Sequence, residues 1–466
     1  MSELSLNDVL AGTGGRLVAG RDAPALNGVS IDSRTLNPGE LFVAIVGPRH
    51  DGHDHLGDAA QRGAAAAVVS EDVVAPQGFP LVRVADTTQA LAALARHVRR
   101  QATVPVVAIT GSTGKTTTKE MTAHLLETRG PVLKTQGNLN NQYGLPLMLL
   151  RLKPEHQFAV FELGMSAAGE LRHLSGIAEP DVAVITNVAA VHLEFFDSVD
   201  AIAAAKAEIL EGLRPGGLAV LNGDDPRLRA VGEMHRGEVL WFGRDRSFTV
   251  SAERWRGTVH GMRFDLRVGR ETVDVALPLS GPHFVSNFLA AAAVAHHLGI
   301  SPDAMAAAAA DIRPAPHRGE VLRLGQGVTL IDDCYNSNPY AVDAAVTSLG
   351  MAGGRRRVAF LGDMLELGPT ARELHLETGR RVGGRIDVLI GVGPLGHVLL
   401  EGAREAGVKA DGLHHFADSA QAAIAAAALI QPGDAVLVKG SRGVHMEAVV
   451  EALRAHLGAA AEDGGH

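Results

Sequence analysis

The segment VVAITGSTGKTTTKEM, residues 106–121, carries the residue types of a phosphate-binding loop. Its glycines allow backbone N–H groups to approach an anion, Lys115 supplies positive charge, and the hydroxyl of Thr116 suits Mg²⁺. The common phosphate loop reads Gly-x-x-x-x-Gly-Lys-Ser/Thr, and in that register Ile109 stands in place of the first glycine. A glycine-rich turn before a helix is the alternative interpretation. The strand-like run before the loop and the helix-like run after it favour the phosphate site.

Two other strand-like runs end near residues that bind metals. Glu162 closes FAVFE, and His192 follows VAVITN by a few residues. A glutamate at a strand end is usually solvated or ion-paired, and a lone histidine there is more often structural. In open α/β sheets, however, ligands bind beyond the carboxyl ends of the strands, where these segments would meet the loop. Since Mg²⁺ takes few protein ligands and several phosphate oxygens, the sequence favours a metal–nucleotide site.

Lys206 lies on the apolar face of the predicted helix SVDAIAAAKAEILEGL, which Ser198 can cap. Its neighbours three and four positions away are apolar, so no local carboxylate can pair with it. The side chain could extend to the helix edge like an ordinary surface lysine. Otherwise it is an ammonium directed at phosphate, or a neutral amine that takes up CO₂ as a carbamate near a metal.

Polar clusters also occur outside these runs. Asp32, Ser33 and Arg34 lie between two strand-like segments and fit either loop ion pairs or ligand contacts. His53 and His55 belong to DGHDH, whose spacing does not favour a zinc site. The glycine-bounded segment TQGNLNNQYGLP holds three amides that suit turn formation or recognition of a polar substrate. They are Asn138, Asn140 and Asn141.

The composition of the 466-residue chain excludes several classes of protein. With 46% hydrophobic and 20% charged residues it is typical of globular proteins, and its length predicts two or three domains. A net charge of −9 gives no general attraction to nucleic acid. Cys334 is the only cysteine, which favours a reducing compartment. No apolar run is long enough for membrane insertion, and MSELSLNDVL does not read as a secretory signal, so we expect a cytoplasmic protein.

The order of strand-like and helix-like segments predicts an α/β fold in three domains, at residues 1–103, 104–315 and 316–466. The first alternates short apolar runs with polar or helical segments. The second alternates strands with helices, which predicts a mostly parallel sheet, but residues 248–279 have period two and predict a small antiparallel insert. The third contains VTLIDD, VAFLGD, VLIGVG and AVLVKG, as in a doubly wound sheet.

Taken together, these stretches resemble the Mur ligase family of ATP-dependent amide-forming enzymes over nearly the whole chain. GSTGKT matches the short phosphate loop of that family. Other matching motifs, in the same order as in the family, are SIDSR, DGHDH, TTTKEM, TQGNLNNQYGLP, FELGMSAAGEL, TNVAAVHLEFF, AAKAEI, DDCYNSNP, GDMLELG and LVKGSRGVHMEAV. The resemblance implies an N-terminal domain that binds UDP, a central ATPase domain of the P-loop type and a C-terminal Rossmann-like domain.

The resemblance also implies roles for particular residues. The ATP phosphates would be bound by Gly111, Ser112, Thr113, Gly114, Lys115, Thr116 and Thr117. Mg²⁺ would be held by Thr116, Glu162 and His192. The catalytic set would be Lys115, Glu162, His192 and a carbamylated Lys206. The rest of ATP would be reached by Asn287, Arg318 and Asp333. The uridine diphosphate end of the substrate would contact Asp32, Ser33 and Arg34. The reacting carboxyl or phosphate would contact Lys439, Ser441 and Arg442.

The implied reaction joins D-alanyl-D-alanine to UDP-N-acetylmuramoyl-tripeptide through an acyl phosphate, a step in peptidoglycan precursor synthesis, and a monomer is expected. The third residue of the peptide, meso-diaminopimelate or lysine, stays open, as does the base for the amine. Three alternatives are a ligase that adds the third residue, a folylpolyglutamate synthase-like ligase and a nucleotide-binding scaffold without turnover. The ligase that adds the third residue is disfavoured because its Asp-Asn-Pro-Arg motif is absent. The SIDSR motif argues against a folylpolyglutamate synthase-like ligase. The presence of Glu162, His192 and Lys206 together argues against a scaffold without turnover.

Overall fold

The computed structural model describes residues 4–20, 25–74, 76–191 and 193–460, and within them the strands form three sheets. The N-terminal sheet has the strand order β1-β5-β4-β3-β2, with only β1 antiparallel to its neighbour. Its strands are β1 (Arg16–Ala19), β2 (Gly28–Ser30), β3 (Glu40–Val43), β4 (Ala66–Val69) and β5 (Leu81–Arg83). The helices of this part are α1 (Leu6–Thr13), α2 (Leu56–Gln61) and α3 (Thr87–Gln101).

The central sheet has the order β14-β13-β12-β11-β10-β9-β6-β8-β7 and is parallel from β12 to β7. Its strands are β6 (Val106–Thr110), β7 (Val132–Lys134), β8 (Phe158–Glu162), β9 (Val182–Ile185), β10 (Leu218–Asn222), β11 (Glu238–Gly243), β12 (Val250–Thr258), β13 (Gly261–Val268) and β14 (Glu271–Leu277). Its helices are α4 (Lys115–Glu127), α5 (Gly144–Leu149), α6 (Glu170–Ala178), α7 (Val199–Ala207), α8 (Pro226–Met234), α9 (Pro282–His297) and α10 (Pro302–Ala309).

The C-terminal sheet has the order β15-β16-β20-β17-β18-β19 and is parallel except for β15. Its strands are β15 (Glu320–Arg323), β16 (Thr329–Asp332), β17 (Arg357–Gly362), β18 (Val388–Val392), β19 (Leu413–Phe416) and β20 (Ala435–Lys439). Its helices are α11 (Pro339–Met351), α12 (Ala371–Gly383), α13 (Gly396–Glu405), α14 (Ser419–Leu429) and α15 (Glu447–Leu457).

Apolar helix faces cover both sides of the central sheet. The alanine-rich α9 packs beside α4 on one side, where its buried face joins the β12–β14 hairpins. The other side is covered by α5 and α6, and α3 from the N-terminal part contributes Ala92 and Ala95 to the same core, with Ala102 directly after the helix. The N-terminal sheet is therefore attached to the central one through a shared hydrophobic core.

The α/β fold in mostly parallel sheets agrees with the expectation from sequence. The strands that were expected to converge, β8, β6 and β9, are immediate neighbours in parallel register. The period-two segment is antiparallel as expected, although β12 pairs with β11, so this segment extends the central sheet at its edge. None of the helices in the described residues is both long and apolar enough to span a bilayer.

Candidate active site

The phosphate loop connects the end of β6 to the start of α4, and its two glycines are sterically required. Gly111 has φ +153°, and a Cβ there would lie 1.9 Å from Thr186 Oγ1. Gly114 precedes α4 with φ +78°, and a Cβ there would lie 2.3 Å from Asn287 Oδ1. The loop thus begins at Gly111. Ile109, the residue in place of the expected first glycine, is fully buried in β6.

Asn187, two residues after β9, holds the phosphate loop in place. The Thr113 N–H donates to Asn187 Oδ1 at 3.0 Å, and Asn187 Nδ2 donates to Thr113 Oγ1 at 2.9 Å. The Ser112 N–H donates to the Asn187 carbonyl at 3.0 Å. Ser112 Oγ also accepts from the Ala189 N–H at 2.8 Å. The shape of the loop is therefore fixed by the protein before an anion arrives, which lowers the cost of binding one.

Glu162, at the end of β8, faces the phosphate loop. Thr116 Oγ1 donates to Glu162 Oε2 at 2.7 Å, and Asn140 Nδ2 donates to Glu162 Oε1 at 2.9 Å. The Glu162 residue is 5% exposed and its N–H donates to Thr135 Oγ1 at 3.0 Å. A carboxylate beside a threonine hydroxyl at a phosphate loop fits the oxygen ligands that Mg²⁺ prefers. His192, the other predicted metal ligand, lies outside the described residues.

Lys115 and Lys206 approach the site from two helices. Lys115 lines the cleft described below, and its Nζ donates to the Gly111 carbonyl at 2.8 Å. Burial lowers the pKa of Lys115, while Glu162 partly opposes this shift. Lys206 is 1% exposed, and within the described residues it has no hydrogen-bond or ion-pair partner. Burial, together with repulsion from Lys115, holds the pKa of Lys206 well below its usual value.

The C-terminal sheet presents its own strand ends to the site. Lys439 closes β20, and Asp333 follows β16, the neighbouring parallel strand. Lys439 Nζ donates to Asp333 Oδ2 at 2.6 Å and to the Asn336 carbonyl at 2.9 Å. Ser441 Oγ accepts from the Leu365 N–H at 2.9 Å. These contacts hold the loops after three C-terminal strands together at one edge.

Arginine and histidine side chains line the space between the two sheets. The Arg318 guanidinium lies over the Tyr335 ring, 4.0 Å from its centroid. Arg442 is exposed and pairs with Glu447 at 3.3 Å. His283, at the start of α9, has a buried Nδ1 without a hydrogen-bond partner among the described groups, and burial lowers its pKa to about 4. At neutral pH this imidazole is uncharged.

A cleft of about 1280 Å³ opens between the central and C-terminal sheets and brings most predicted site residues together. From the central part it is lined by Ser112, Thr113, Gly114, Lys115, Thr116, Thr117, Asn138, Asn140, Asn141, Glu162 and Asn287. From the C-terminal part it is lined by Arg318, Asp333, Lys439, Ser441 and Arg442. Gly111 and Lys206 are not part of the cleft wall. The cleft joins a phosphate loop to cationic and hydroxyl groups on the opposite sheet.

The N-terminal triplet is not part of this cleft. Arg34 donates from Nε to Asp32 Oδ1 at 2.9 Å and from Nη2 to Asp32 Oδ2 at 2.7 Å. These hydrogen bonds lower the pKa of Asp32 to about 2. Ser33 between them is buried. The exposed guanidinium of Arg34 therefore stays available to an anion while Asp32 fixes its position.

Sequence reasoning missed several residues that shape the site. Asn187, Tyr335 and Leu365 belong to the motifs TNVAAVHLEFF, DDCYNSNP and GDMLELG, but no role was predicted for them. Asn141 was predicted as a substrate contact, and its Oδ1 accepts from the N–H groups of Tyr143 and Gly144 at 3.2 and 2.9 Å. Its side-chain oxygen thus stabilises the start of α5. The contacts of Asn187, Tyr335 and Leu365 join chain segments that are separated in sequence, so they were not visible in the motifs.

Comparisons with known proteins agree with this arrangement. Three family models match the chain: the "Mur ligase family, catalytic domain" over residues 25–99, the "Mur ligase middle domain" over residues 109–295, and the "Mur ligase, glutamate ligase domain" over residues 317–442. The UDP-N-acetylmuramoyl-tripeptide--D-alanyl-D-alanine ligase of Escherichia coli K12 is 39% identical over 456 residues, which cover 96% of this chain and 97% of the relative.

Solved structures show the same likeness over the full length. A crystal structure of MurF from Acinetobacter baumannii has a TM-score of 0.90 at 32% identity and covers 97% of this chain and 99% of its own. MurF ligase from Thermotoga maritima, solved in complex with ADP, has a TM-score of 0.82 at 31% identity, with 92% and 97% covered. Since the matched models span most of the chain and identity exceeds 30% over its length, the chain belongs to the Mur ligase family.

Proposed function

We propose that this chain is an ATP-dependent ligase that joins D-alanyl-D-alanine to the terminal carboxylate of UDP-N-acetylmuramoyl-tripeptide. The observation that carries the proposal is the single cleft in which the phosphate loop faces Asp333, Lys439, Ser441 and Arg442. An ATPase without a second substrate needs no such opposing surface. The relatives named above, at up to 39% identity over the full chain, supply the substrate class.

In the first chemical step the peptide carboxylate attacks the γ-phosphorus of ATP, which gives an acyl phosphate and ADP. In the second step the amine of D-alanyl-D-alanine attacks the acyl carbon, forms the amide bond and displaces phosphate. A carboxylate and an amine do not condense in water, and this activation provides the leaving group. Little covalent chemistry falls to the protein, so positioning and charge neutralisation dominate. Lys115 would exchange its bond to the Gly111 carbonyl for phosphate oxygens. Gly111, Ser112, Thr113, Gly114, Thr116 and Thr117 would hold the same phosphates through the loop.

Residues at the site fit Mg²⁺. Thr116 and Glu162, 2.7 Å apart, supply hydroxyl and carboxylate oxygens, and His192 completes the proposed set. When bound, Mg²⁺ would neutralise phosphate charge. Hydrogen bonds from the Thr116 hydroxyl and the Asn140 amide hold the Glu162 carboxylate in position.

Lys206 fits the carbamate that the family resemblance implies. The side chain is buried, and its lowered pKa leaves a neutral amine, which is the form that reacts with CO₂. A carbamate would convert this amine into an anion next to Lys115, whose charge would then attract rather than repel. The carbamate would thus hold Lys115 near the phosphates.

The remaining proposed contacts are distributed over three domains, at residues 1–103, 104–315 and 316–466. Asn287, Arg318 and Asp333 would bind the nucleoside of ATP, and the N-terminal triplet of residues 32–34 the uridine diphosphate. The amides Asn138, Asn140 and Asn141 would face the peptide, and Lys439, Ser441 and Arg442 the reacting groups. A cytoplasmic location and a monomeric state belong to the same proposal.

The direct test is phosphate release from ATP by the purified chain. With UDP-N-acetylmuramoyl-tripeptide present, we expect release to depend on D-alanyl-D-alanine, with either meso-diaminopimelate or lysine as third residue giving the faster turnover. No stimulation by D-alanyl-D-alanine with either tripeptide would overturn the proposal. Turnover with the UDP-linked dipeptide and a diamino acid, or with folate and glutamate, would favour the corresponding alternative ligase.

A second experiment tests the carbamate. Lys206→Ala should lose most of the activity, and a short carboxylate such as acetate should restore part of it by occupying the vacated space. Lys153→Ala is the control, since the Lys153 side chain is 66% exposed and outside the cleft. Near-normal activity of Lys206→Ala would contradict a catalytic role, and full loss without any rescue would contradict the carbamate.

A further inference from the structure

A histidine, an aspartate and the only cysteine of the chain meet beside the cleft, at residues with no role in the proposed reaction. His317 Nδ1 lies 2.8 Å from Asp332 Oδ2 and 3.6 Å from Cys334 Sγ. The donor atoms of all three lie within 4.8 Å of one another. Asp332 Oδ1 accepts from the Cys334 N–H at 3.3 Å, which fixes the carboxylate relative to the thiol. Nitrogen, oxygen and sulfur donors together are typical of zinc sites.

The described residues contain a second cluster of possible metal ligands, and its histidine is less available to a metal than His317. Asp51, His53 and Glu71 also lie close together. However, both ring nitrogens of His53 are occupied, since Nδ1 bonds Asp51 Oδ1 at 2.6 Å and Nε2 accepts from the Ser70 N–H at 2.9 Å. A nitrogen that accepts a backbone hydrogen has no lone pair for a metal. That histidine is a structural link between two loops.

The nitrogen and sulfur atoms of the first cluster have the spacing of metal ligands. Bonds of about 2.0 Å to nitrogen and about 2.3 Å to sulfur at a tetrahedral angle place the two ligand atoms about 3.5 Å apart. His317 Nδ1 and Cys334 Sγ are separated by 3.6 Å. The corresponding separation of nitrogen and oxygen ligands is about 3.4 Å, so the pair of His317 and Asp332 would have to open slightly.

Access and charge also suit a cation. The His317 side chain is 36% exposed and lines the cleft, whereas Asp332 and Cys334 are buried behind it. Burial and the neighbouring Asp332 raise the pKa of the Cys334 thiol, so without a metal this side chain is a neutral thiol. On metal binding the thiol is deprotonated and its proton goes to solvent, and His317 binds through Nδ1 as the tautomer that is protonated on Nε2. Since His317 lines the cleft, the cleft provides a path for the ion.

We propose that His317, Asp332 and Cys334 form a binding site for one soft divalent cation, Zn²⁺ or Cd²⁺. Sulfur and imidazole ligands select such ions over Mg²⁺, which prefers oxygen. The site is separate from the proposed Mg²⁺ site at Thr116 and Glu162 and uses other side chains. Its existence does not depend on the proposed ligase activity.

The test is a Cd²⁺ titration of the full chain, without a histidine tag, followed by the ultraviolet charge-transfer band of a cadmium–thiolate bond. Because Cys334 is the only cysteine, the band reports this residue alone. We expect saturation at one Cd²⁺ per chain, loss of the band on adding Zn²⁺, and no effect of excess Mg²⁺. Absence of a saturable band would overturn the proposal.

Variants separate the cluster from binding by the thiol alone. Cys334→Ser should abolish the band, and circular dichroism checks that it folds. His317→Gln should raise the Kd for Cd²⁺ by about tenfold or more, because loss of even a supporting group costs that much. Glu71→Gln, in the other cluster, should leave the titration unchanged. An unaltered Kd in His317→Gln would contradict the site even if Cys334→Ser fails to fold.

Discussion

At the scale of single residues, burying Lys206 at the candidate active site lowers the stability of the folded protein. A lysine with 1% exposure and no partner in the described residues is expensive to bury as an ammonium. The structure lowers this cost by lowering the pKa of Lys206, so the amine is neutral in the folded state. In the unfolded chain the same group is protonated up to about pH 10.4. Unfolding therefore takes up a proton.

This linkage predicts that Lys206→Met raises the free energy of unfolding while activity is lost. Since the unfolded state binds more protons between the lowered pKa and about 10.4, the stability of the wild type rises with pH in that window. The advantage of Lys206→Met should accordingly shrink as the pH rises toward about 10.4. Urea unfolding in CO₂-free buffer at several pH values measures the difference in the free energy of unfolding between Lys206→Met and the wild type. A pH-independent difference, or a less stable variant, would contradict the neutral buried amine.

Asn187 is a positioning residue for the phosphate loop. Its side chain makes three hydrogen bonds to Thr113, and Asn187→Ala removes all of them and leaves the Thr113 N–H without that acceptor. Loss of such contacts costs about 1–3 kcal/mol, so kcat/KM for ATP should fall about ten- to a hundredfold. The KM for D-alanyl-D-alanine should change little.

The control for this prediction is Asn27→Ala, which removes an exposed hydrogen bond to the Pro38 carbonyl at 3.3 Å. It should leave both KM values unchanged. If Asn187→Ala lowered activity at saturating ATP and left the KM for ATP as it was, the residue would not act through nucleotide binding. A parallel fall in the unfolding midpoint alone would indicate a structural role.

At the scale of elements, helix α3 joins the N-terminal sheet to the central one through Arg99. Its guanidinium is fully buried and donates to the Ala178 carbonyl at 2.8 Å, the Glu179 carbonyl at 2.9 Å and Asp181 Oδ2 at 2.7 Å. Burial lowers the pKa of Arg99, which Asp181 partly opposes. The connection between α6 and β9 is thus bound to α3 by charge-assisted hydrogen bonds.

Arg99→Ala should destabilise the protein by about 3–5 kcal/mol, because it leaves the buried partners of the guanidinium unpaired. Arg100→Ala is a matched control on the next residue. The Arg100 side chain is 57% exposed and pairs with Glu179, which keeps Arg96, so its loss should cost at most about 1 kcal/mol. Denaturant unfolding monitored by circular dichroism compares them. Equal destabilisation by the two substitutions would contradict the conclusion that burial makes the Arg99 hydrogen bonds important for stability.

Features that depend on a short stretch of sequence, such as strands and helix faces, could be predicted from the sequence. The runs VVAIT, FAVFE and VAVI have the composition of buried parallel strands, and they form β6, β8 and β9 side by side. Lys206 was conspicuous because its helical neighbours are apolar. Asn187 was not found, since its partners are 74 positions away along the chain. The cluster at His317 likewise forms only after β15 and β16 pair.

At the scale of the whole molecule, the cleft depends on two sheets that are held together by few direct contacts. The cores of the C-terminal part consist of buried residues between positions 324 and 453. The N-terminal part also has cores of its own, between positions 6 and 94. In addition, α3 places Ala92 and Ala95 in the central core, and Arg99 bridges to the central part. The N-terminal part is therefore packed against the central part, and the C-terminal part carries its half of the site on separate cores.

This difference predicts how fragments behave. Residues 316–466 should fold alone, since a domain of about 150 residues buries enough surface for stability and its cores are internal. Residues 1–103 should not unfold cooperatively, because α3 would expose apolar surface and the Arg99 partners would be missing. Thermal unfolding followed by circular dichroism measures both fragments. A cooperative transition in residues 1–103 would contradict their dependence on the central part. The absence of a transition in residues 316–466 would contradict the independence of the C-terminal cores.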